Sequence, residues 1–524
     1  MTDRKNRGSV PEGVTRTQFA ARNSAFGLVG KAVSLIANFV SRTVFIYILG
    51  KYYLGVNGLY TEILSFLSFA ELGFGSAMTF ALYGPVARGE CEKVRELMDF
   101  YKKTYRIIAI VILIFGLALT PFLQYIINGA GSLSLFELRL YFLIFLANTV
   151  TTYFVIYKYG YLNAMQMTYV TTNIETITSL VCVAVQLIAL VLTQSFLVYL
   201  LANTATLIIS RFIIANYLNS RFPLLAEKPE MPLPKNDRRG ILTEVKGLAI
   251  HQFSGVAVHA TDSIIISAVP TLGVAVVGVI SNYNMIINAV SGIVVILFNS
   301  VVAGFGNLAV TSDQERFEEV FDESNFANFW IYGFCTACFV VLLTPFIRLW
   351  VGGDYAIDSG SLALIILNFY LQGQSTIYNN ARIAKGNFNM DKWWSLLQAV
   401  VNLVVSVWGA IYLGLIGVYV GTVLSRLVFV ISRPCSTYRF LFGESSLHYF
   451  RQLTVYLAAV LLATGACWLL CKPLLANLTW VTFIAATAIC LVIPNVIFFG
   501  IFHNSKEFIA LRDRLAGLLR RRAK

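Results

Sequence analysis

"LTPFLQYI" (119–126) returns 224 residues downstream as "LTPFIRLW" (343–350). The echo is not isolated. "SRT" (41–43) falls against "TDS" (261–263), and Gly58 against Gly278, at an offset of 220. Later in the repeat, Lys158 falls against Arg382 and Asn163 against Asn387, at 224. Each copy holds six apolar runs long enough to span a bilayer, for which roughly 20 residues suffice. An even number of spans returns the chain to its starting side, so both copies have the same orientation. Two such copies imply a pseudo-two-fold axis along the membrane normal, with a central cavity where the two bundles meet.

The bulk composition agrees. Of 524 residues, 57% are hydrophobic and 13% charged, about half the charge of an ordinary soluble domain. The expected fold class is an all-α polytopic membrane protein of about 14 transmembrane helices: two six-helix lobes and two further C-terminal helices. The spans are expected near 24–49, 58–83, 104–127, 136–158, 168–192, 195–219, 243–269, 273–303, 324–350, 360–384, 392–413, 416–440, 448–471 and 477–503. The domains follow as a basic N-tail (1–23), an N-lobe (24–220), a linker (221–242), a C-lobe (243–445), helices 13 and 14 (446–503) and a basic amphipathic tail (504–524). The polar, basic start has no short apolar core before a small-residue cleavage site, so no removable signal peptide is expected.

Lys and Arg set the sidedness. One set of loops holds Arg88, Lys93, Arg95, Lys102, Lys103 and Arg106, then Arg221, Lys228, Lys235, Arg238 and Arg239, then Arg433, Arg439 and Arg451. The opposite loops offer little beyond Lys51, Arg139 and Lys472. The basic set is therefore expected in the cytoplasm, with both termini inside. The formal charge of +13 lies in these loops rather than on one soluble face, so no nucleic-acid partner is expected. In the tail, Phe508, Leu511, Leu515 and Leu518 share one helical face and suit either an inner-leaflet helix or a solvated tail. The eight cysteines lie mostly in apolar runs. Even "CTAC" (335–338) reads as small buried residues, not as a disulfide or zinc framework.

Polar residues inside the spans form stripes. The first span carries Gly27, Lys31, Ser34, Asn38 and Arg42 at helical spacing. The seventh carries His251, Gly255, His259 and Asp262, the eighth Asn284, Asn288 and Ser291, and the tenth Asn368, Gln372, Ser375, Asn379 and Arg382. Single Ser or Asn residues often only glue helices together. Ionisable groups within spans more often face a bundle interior or water, since a charge at mid-bilayer costs about 2.5–3.5 kcal/mol on insertion scales. In the repeat register Lys31 aligns with His251 and Arg42 with Asp262, so Arg42 and Asp262 are expected to pair as a gate. The alternative is that Asp262 pairs within its own bundle. Lys31, Arg42, Lys158, Arg211, Arg382, Lys385 and Arg426 outweigh Glu62, Glu71, Glu175 and Asp262. A net-basic lining suits an anionic cargo, with phosphate the group Arg recognises most specifically. Lys158, Lys385 and Arg426 also suit snorkelling anchors.

Other chemistry is missing. "GLVGKAVS" (27–34) lacks both the leading glycine and the Ser/Thr of a phosphate-binding loop. The four histidines are scattered, so no metal site is expected. No long external loop offers catalytic carboxylates, so the chain is not expected to be an enzyme and no catalytic residue is assigned.

"LGKYYLGVNGLYTEILSFLSFAELGFGSAM" (49–78), "MDFYKKTYRIIA" (98–109) and "ATDSIIIS" with "SNYNMI" (260–267, 281–286) resemble the polysaccharide (Wzx-type) flippases of the multidrug/oligosaccharidyl-lipid/polysaccharide (MOP) exporter superfamily. The resemblance implies alternating access and a polyprenyl-pyrophosphate-linked oligosaccharide as cargo. The cargo would move from the inner to the outer leaflet of the bacterial cytoplasmic membrane for cell-surface polysaccharide biosynthesis. It assigns the pyrophosphate first to Arg42, then to Lys31, Arg382, Arg211 and Lys158. Asp262, His259 and Glu71 become gate or coupling residues. Asn38, Asn284, Asn288, Gln372 and Asn379 form a stripe for sugar hydroxyls. Helices 13 and 14 imply a groove for the lipid tail. No cofactor is expected; a proton or sodium gradient is a candidate energy source. A monomer is expected, with a polysaccharide polymerase or glycosyltransferases as candidate partners. The competing reading is a cation-coupled small-molecule or multidrug exporter of the same superfamily, with Asp262, Glu71 and Glu175 as coupling carboxylates. A net-basic lining argues against cationic drugs.

Overall fold

The computed structural model describes residues 16–71, 73–311, 314–384, 392–443 and 445–522. The side chains of 16–25, 28, 70, 247–259, 297, 299–311, 383, 515 and 518–522 are not described. Regular structure among the described residues is helical. It runs α1 (Arg16–Leu67), α2 (Phe74–Arg88), α3 (Cys91–Leu119), α4 (Leu123–Ile126), α5 (Leu135–Thr152), α6 (Tyr157–Ala164), α7 (Thr168–Thr193), α8 (Phe196–Arg221) and α9 (Lys235–Ala268). It continues with α10 (Val274–Thr311), α11 (Gln314–Val351), α12 (Ser359–Gln374), α13 (Thr376–Ala384), α14 (Lys392–Leu413), α15 (Leu415–Thr437), α16 (Leu447–Ala476), α17 (Trp480–Phe502) and α18 (Lys506–Arg522).

Eleven helical segments among the described residues are long and apolar enough to cross a bilayer, and the chain is a polytopic all-α membrane protein. The difference from fourteen lies in how helices join and break. The first expected span and part of the second share α1, which kinks at Gly50. There φ is +77° and ψ −171°, a conformation that glycine reaches without a side-chain clash. The rest of the second span is broken by a 3₁₀ turn, Ser68–Glu71, and restarts after Gly73 at φ +76°. The tenth is broken at Ser375 between α12 and α13, and the seventh lies in α9. Cap chemistry explains several starts. Ser134 and Glu137 close a capping box on α5, Thr479 and Thr482 do so on α17, and Asp358 accepts from the Ser361 amide at 2.8 Å to begin α12.

The chain divides into two compact units, 1–278 and 279–524. By register α9 opens the second repeat, but by packing it belongs to the first unit, against α1, α2 and α4. The reason is a latch at the end opposite the basic loops. The Asn128 amide donates to Ser267 O (3.0 Å) and its side chain to Ala268 O (2.8 Å). Val274 N donates to Asn128 O (2.8 Å), and Ser267 Oγ to Ile126 O (2.5 Å). The helices also meet backbone to backbone. A Cβ added to Gly55 would overlap Val274 O, and one added to Gly278 would overlap Lys51 O and Gly55 N. Small residues of this kind let membrane helices approach closely.

In the second unit α16 and α17 pack on α11 around Phe326, Phe329, Tyr456, Phe498 and Phe502. Phe329 and Tyr456 stack at 3.9 Å. Cys467, Cys471 and Cys490 are buried free thiols packed near Val341, with Cys338 beside them, the small-residue role expected for them. The tail helix docks on the same unit. Phe508 and Leu511 pack against the α11–α17 cluster, Phe508 stacks on Trp330 at 5.8 Å, and Arg514 pairs with Glu323 at 2.9 Å. Phe508→Ala should cost this docking about 2 kcal/mol. Amide exchange in α18 should rise while α11 stays protected. Unchanged α18 protection would contradict the docking.

Candidate functional site

A cavity of 440 Å³ opens inside the first unit among α1, α7, α8 and the α5–α6 turn. Its polar lining comes from Asn38 on α1, Glu175 and Gln186 on α7, Asn203 and Arg211 on α8, and Tyr159 on α6. Helical spacing puts them there: Glu175, Ser179, Cys182 and Gln186 recur at four, three and four residues, one face of α7. Arg211 is anchored. One terminal nitrogen donates to Asn148 O at 2.9 Å and to Thr151 Oγ1, and the other to Thr152 Oγ1 at 2.7 Å. It therefore satisfies carbonyl and hydroxyl groups at the C-terminal end of α5, where a cation is favourable. Glu175 is the one acid of the lining. The cavity thus pairs one fixed cation with one carboxylate among amide and hydroxyl groups, a lining able to bind polar or cationic solutes.

Arg211→Met should cost about 1.5–3 kcal/mol, as for other charged hydrogen bonds. It should lower the thermal midpoint of the purified chain, and an unchanged midpoint would show that these bonds carry no weight.

Arg42 on α1 and Asp262 on α9 both lie in the first unit, where these two helices pack on each other. Both are half-buried and both engage partners. Tyr199, on α8, is hydrogen-bonded to the adjacent Ser41. Lys31 is exposed on α1.

The other expected residues are elsewhere. Lys158 is buried and donates to Ala215 O (3.1 Å) and Asn219 Oδ1 (2.6 Å), so it ties α6 to α8. Glu71 accepts from Tyr105, which Tyr101 reaches at 3.4 Å, a tyrosine cluster on α3. In the second unit Arg382 is buried and bonded to Asn379 at 2.7 Å. Gln372 and Asn288 are exposed and Asn284 is half-buried, and among the described residues no hydrogen bond joins the three. The His251 and His259 side chains, Lys385 and Asn387 lie outside the described residues. Gln186, Asn203 and Tyr159 were not singled out from the sequence. For Gln186 the signal was available in the polar face of α7, which neutral residues dominate.

No protein-family model matches the sequence, and no curated protein matches it. Solved structures do match in shape. The lipid II flippase MurJ, in an inward closed conformation, superposes with a TM-score of 0.63 at 14% identity, covering 92% of this chain and 99% of MurJ. An inward-facing multidrug resistance MATE family transporter of the MOP superfamily gives 0.61 at 14% identity, covering 78% of this chain and 95% of its own. A Vibrio cholerae MATE transporter gives 0.59 at 14%, covering 82% and 99%. This chain shares the fold of these transporter structures. Within that fold the cavity around Glu175 and Arg211, Arg42 and Asp262 all lie in the first unit.

Proposed function

We propose that the chain is a flippase that carries a polyprenyl-pyrophosphate-linked oligosaccharide from the inner to the outer leaflet of the bacterial cytoplasmic membrane, by alternating access, for cell-surface polysaccharide assembly. The observation that carries this reading is the extent of the fold. The lipid-linked-substrate flippase covers 92% of the chain, whereas the two MATE transporters cover 78% and 82%. The charge of the spanning helices supports it. Lys31 and Arg42 are the two cations of α1 between residues 27 and 42, and they are assigned to the pyrophosphate. Arg is suited to that task by its bidentate geometry. The distribution of basic loops supports a topology with both termini in the cytoplasm.

A second reading has its own observation. Glu175 sits in a cavity inside a helical bundle, as a coupling carboxylate of a cation-driven exporter would. Deleting the gene separates the two. The flippase reading predicts inner-leaflet accumulation of lipid-linked oligosaccharide and loss of surface glycan. Intact surface glycan with raised drug sensitivity would replace it with the exporter.

A further inference from the structure

A second cavity, of 580 Å³, lies outside the region assigned to transport, at the basic end of the first unit. Its walls are the start of α3, Tyr157 of α6 and the linker 224–232. The linker is stapled in place. Arg95 pairs with Glu227 at 2.5 Å, Lys93 with Asp237 at 2.5 Å, and the Glu230 amide donates to Glu92 at 2.6 Å. Leu225 and Leu233 are buried beneath it. The wall is therefore a fixed surface.

The charges inside are unevenly used. Of the lining carboxylates, Asp99 is taken by Lys103 at 2.7 Å and Glu227 by Arg95. Lys102, Arg106 and Lys228 make no ion pair among the described residues, and Glu230 is the one lining acid left against them. Immediately beyond Arg106 the same helix exposes Ile107 (61%), Ile110 (56%) and Ile114 (59%). Such a face is at home in hydrocarbon, so the three cations sit at the water–lipid boundary. Cations there attract anionic lipid at about 1 kcal/mol each near the surface. The pocket also has an apolar side, Met98, Leu224 and Met231, on which a glycerol backbone and the first methylenes can rest.

We infer that the pocket formed by α3, Tyr157 and the 224–232 linker binds the phosphate of an anionic phospholipid head group, held by Lys102, Arg106 and Lys228. The site is independent of the identity of the transported cargo. It anchors the linker that leads into α9 to the membrane surface, through a lipid rather than through protein.

The test is native mass spectrometry of the purified full-length chain titrated with phosphatidylglycerol or phosphatidylcholine. The comparison is Lys102→Gln/Arg106→Gln/Lys228→Gln against Arg451→Gln/Lys506→Gln/Arg512→Gln, which removes the same charge from the second unit. Wild type should retain phosphatidylglycerol over phosphatidylcholine. The pocket triple variant should lose at least about fivefold of that retention, and the control triple variant less than about twofold. Equal retention by wild type and the pocket variant would overturn the site, and equal loss in both triple variants would reduce it to general charge. Millimolar inorganic phosphate should leave the lipid adduct in place. Its displacement, with a phosphate adduct appearing, would overturn the lipid as the source of the phosphate.

Discussion

Asp262→Ala abolishes translocation while the protein still accumulates in the membrane: this is the largest effect expected of any single substitution. The physical basis is the cost of a carboxylate inside a span, about 2.5–3.5 kcal/mol, which a retained Asp must recover from partners. α9 runs beside α1 in the first unit, and Asp262 and Arg42 both engage partners there. Removing one member of a buried charge pair leaves the other uncompensated, typically at about 3–5 kcal/mol. If Arg42 and Asp262 form the gate, that cost falls on the closed state and on the Arg proposed to bind the cargo's phosphate. Translocation should drop at least about 100-fold, with an immunoblot of the membrane fraction near wild type. Arg42→Gln should behave alike, and the exchange Arg42→Asp/Asp262→Arg should restore part of the activity. Near-normal transport by Asp262→Ala would leave Asp262 a folding residue of its own bundle.

The second large effect is conformational. Gly278→Val should open the latch that joins residues 126–129 to 267–274. No rotamer relieves the overlap, because the atoms met are the backbone Lys51 O and Gly55 N. Ser267 is fully buried in this latch, so Ser267→Cys in a Cys91→Ser background reports on it. A membrane-impermeant maleimide should modify that thiol slowly in the parent and about tenfold faster with Gly278→Val, a shift of about 1.4 kcal/mol in the opening equilibrium. Gly278→Ala should lie between. An unchanged labelling rate in protein of unchanged thermal midpoint would mean that the latch does not hold this end shut.

Much of the fold was legible because lipid makes the sequence speak plainly: ten of the expected spans each match one apolar helical segment long enough to cross a bilayer, some of them with a short break inside. The breaks were less legible. Gly50 and Gly73 adopt positive φ, but glycine is common in membrane helices and does not announce where it kinks. Helix α3 begins at Cys91, well before the apolar run expected from 104, because its first turns are an amphipathic extension pinned by ion pairs rather than by lipid. For the site, hydropathy marks which cations are buried and not what they touch. Lys158 and Arg211 looked like cargo residues, but their donors are committed to Asn219, Asn148 and Thr152. Arg42 engages partners of its own, and Lys31 is exposed on α1. The tail illustrates the same limit. Its apolar face was visible, but only contacts show that Phe508 and Leu511 meet protein.

The central claim is that this chain moves a pyrophosphate-linked glycolipid across a bilayer. It is tested most directly by reconstituting the purified chain in liposomes with a fluorescent polyprenyl-pyrophosphate oligosaccharide and adding an impermeant quencher. With active protein, quenching should rise beyond the outer-leaflet half toward completion, and Asp262→Ala should hold it at the half seen in empty liposomes. Quenching that stays at half with folded wild-type protein would contradict the account.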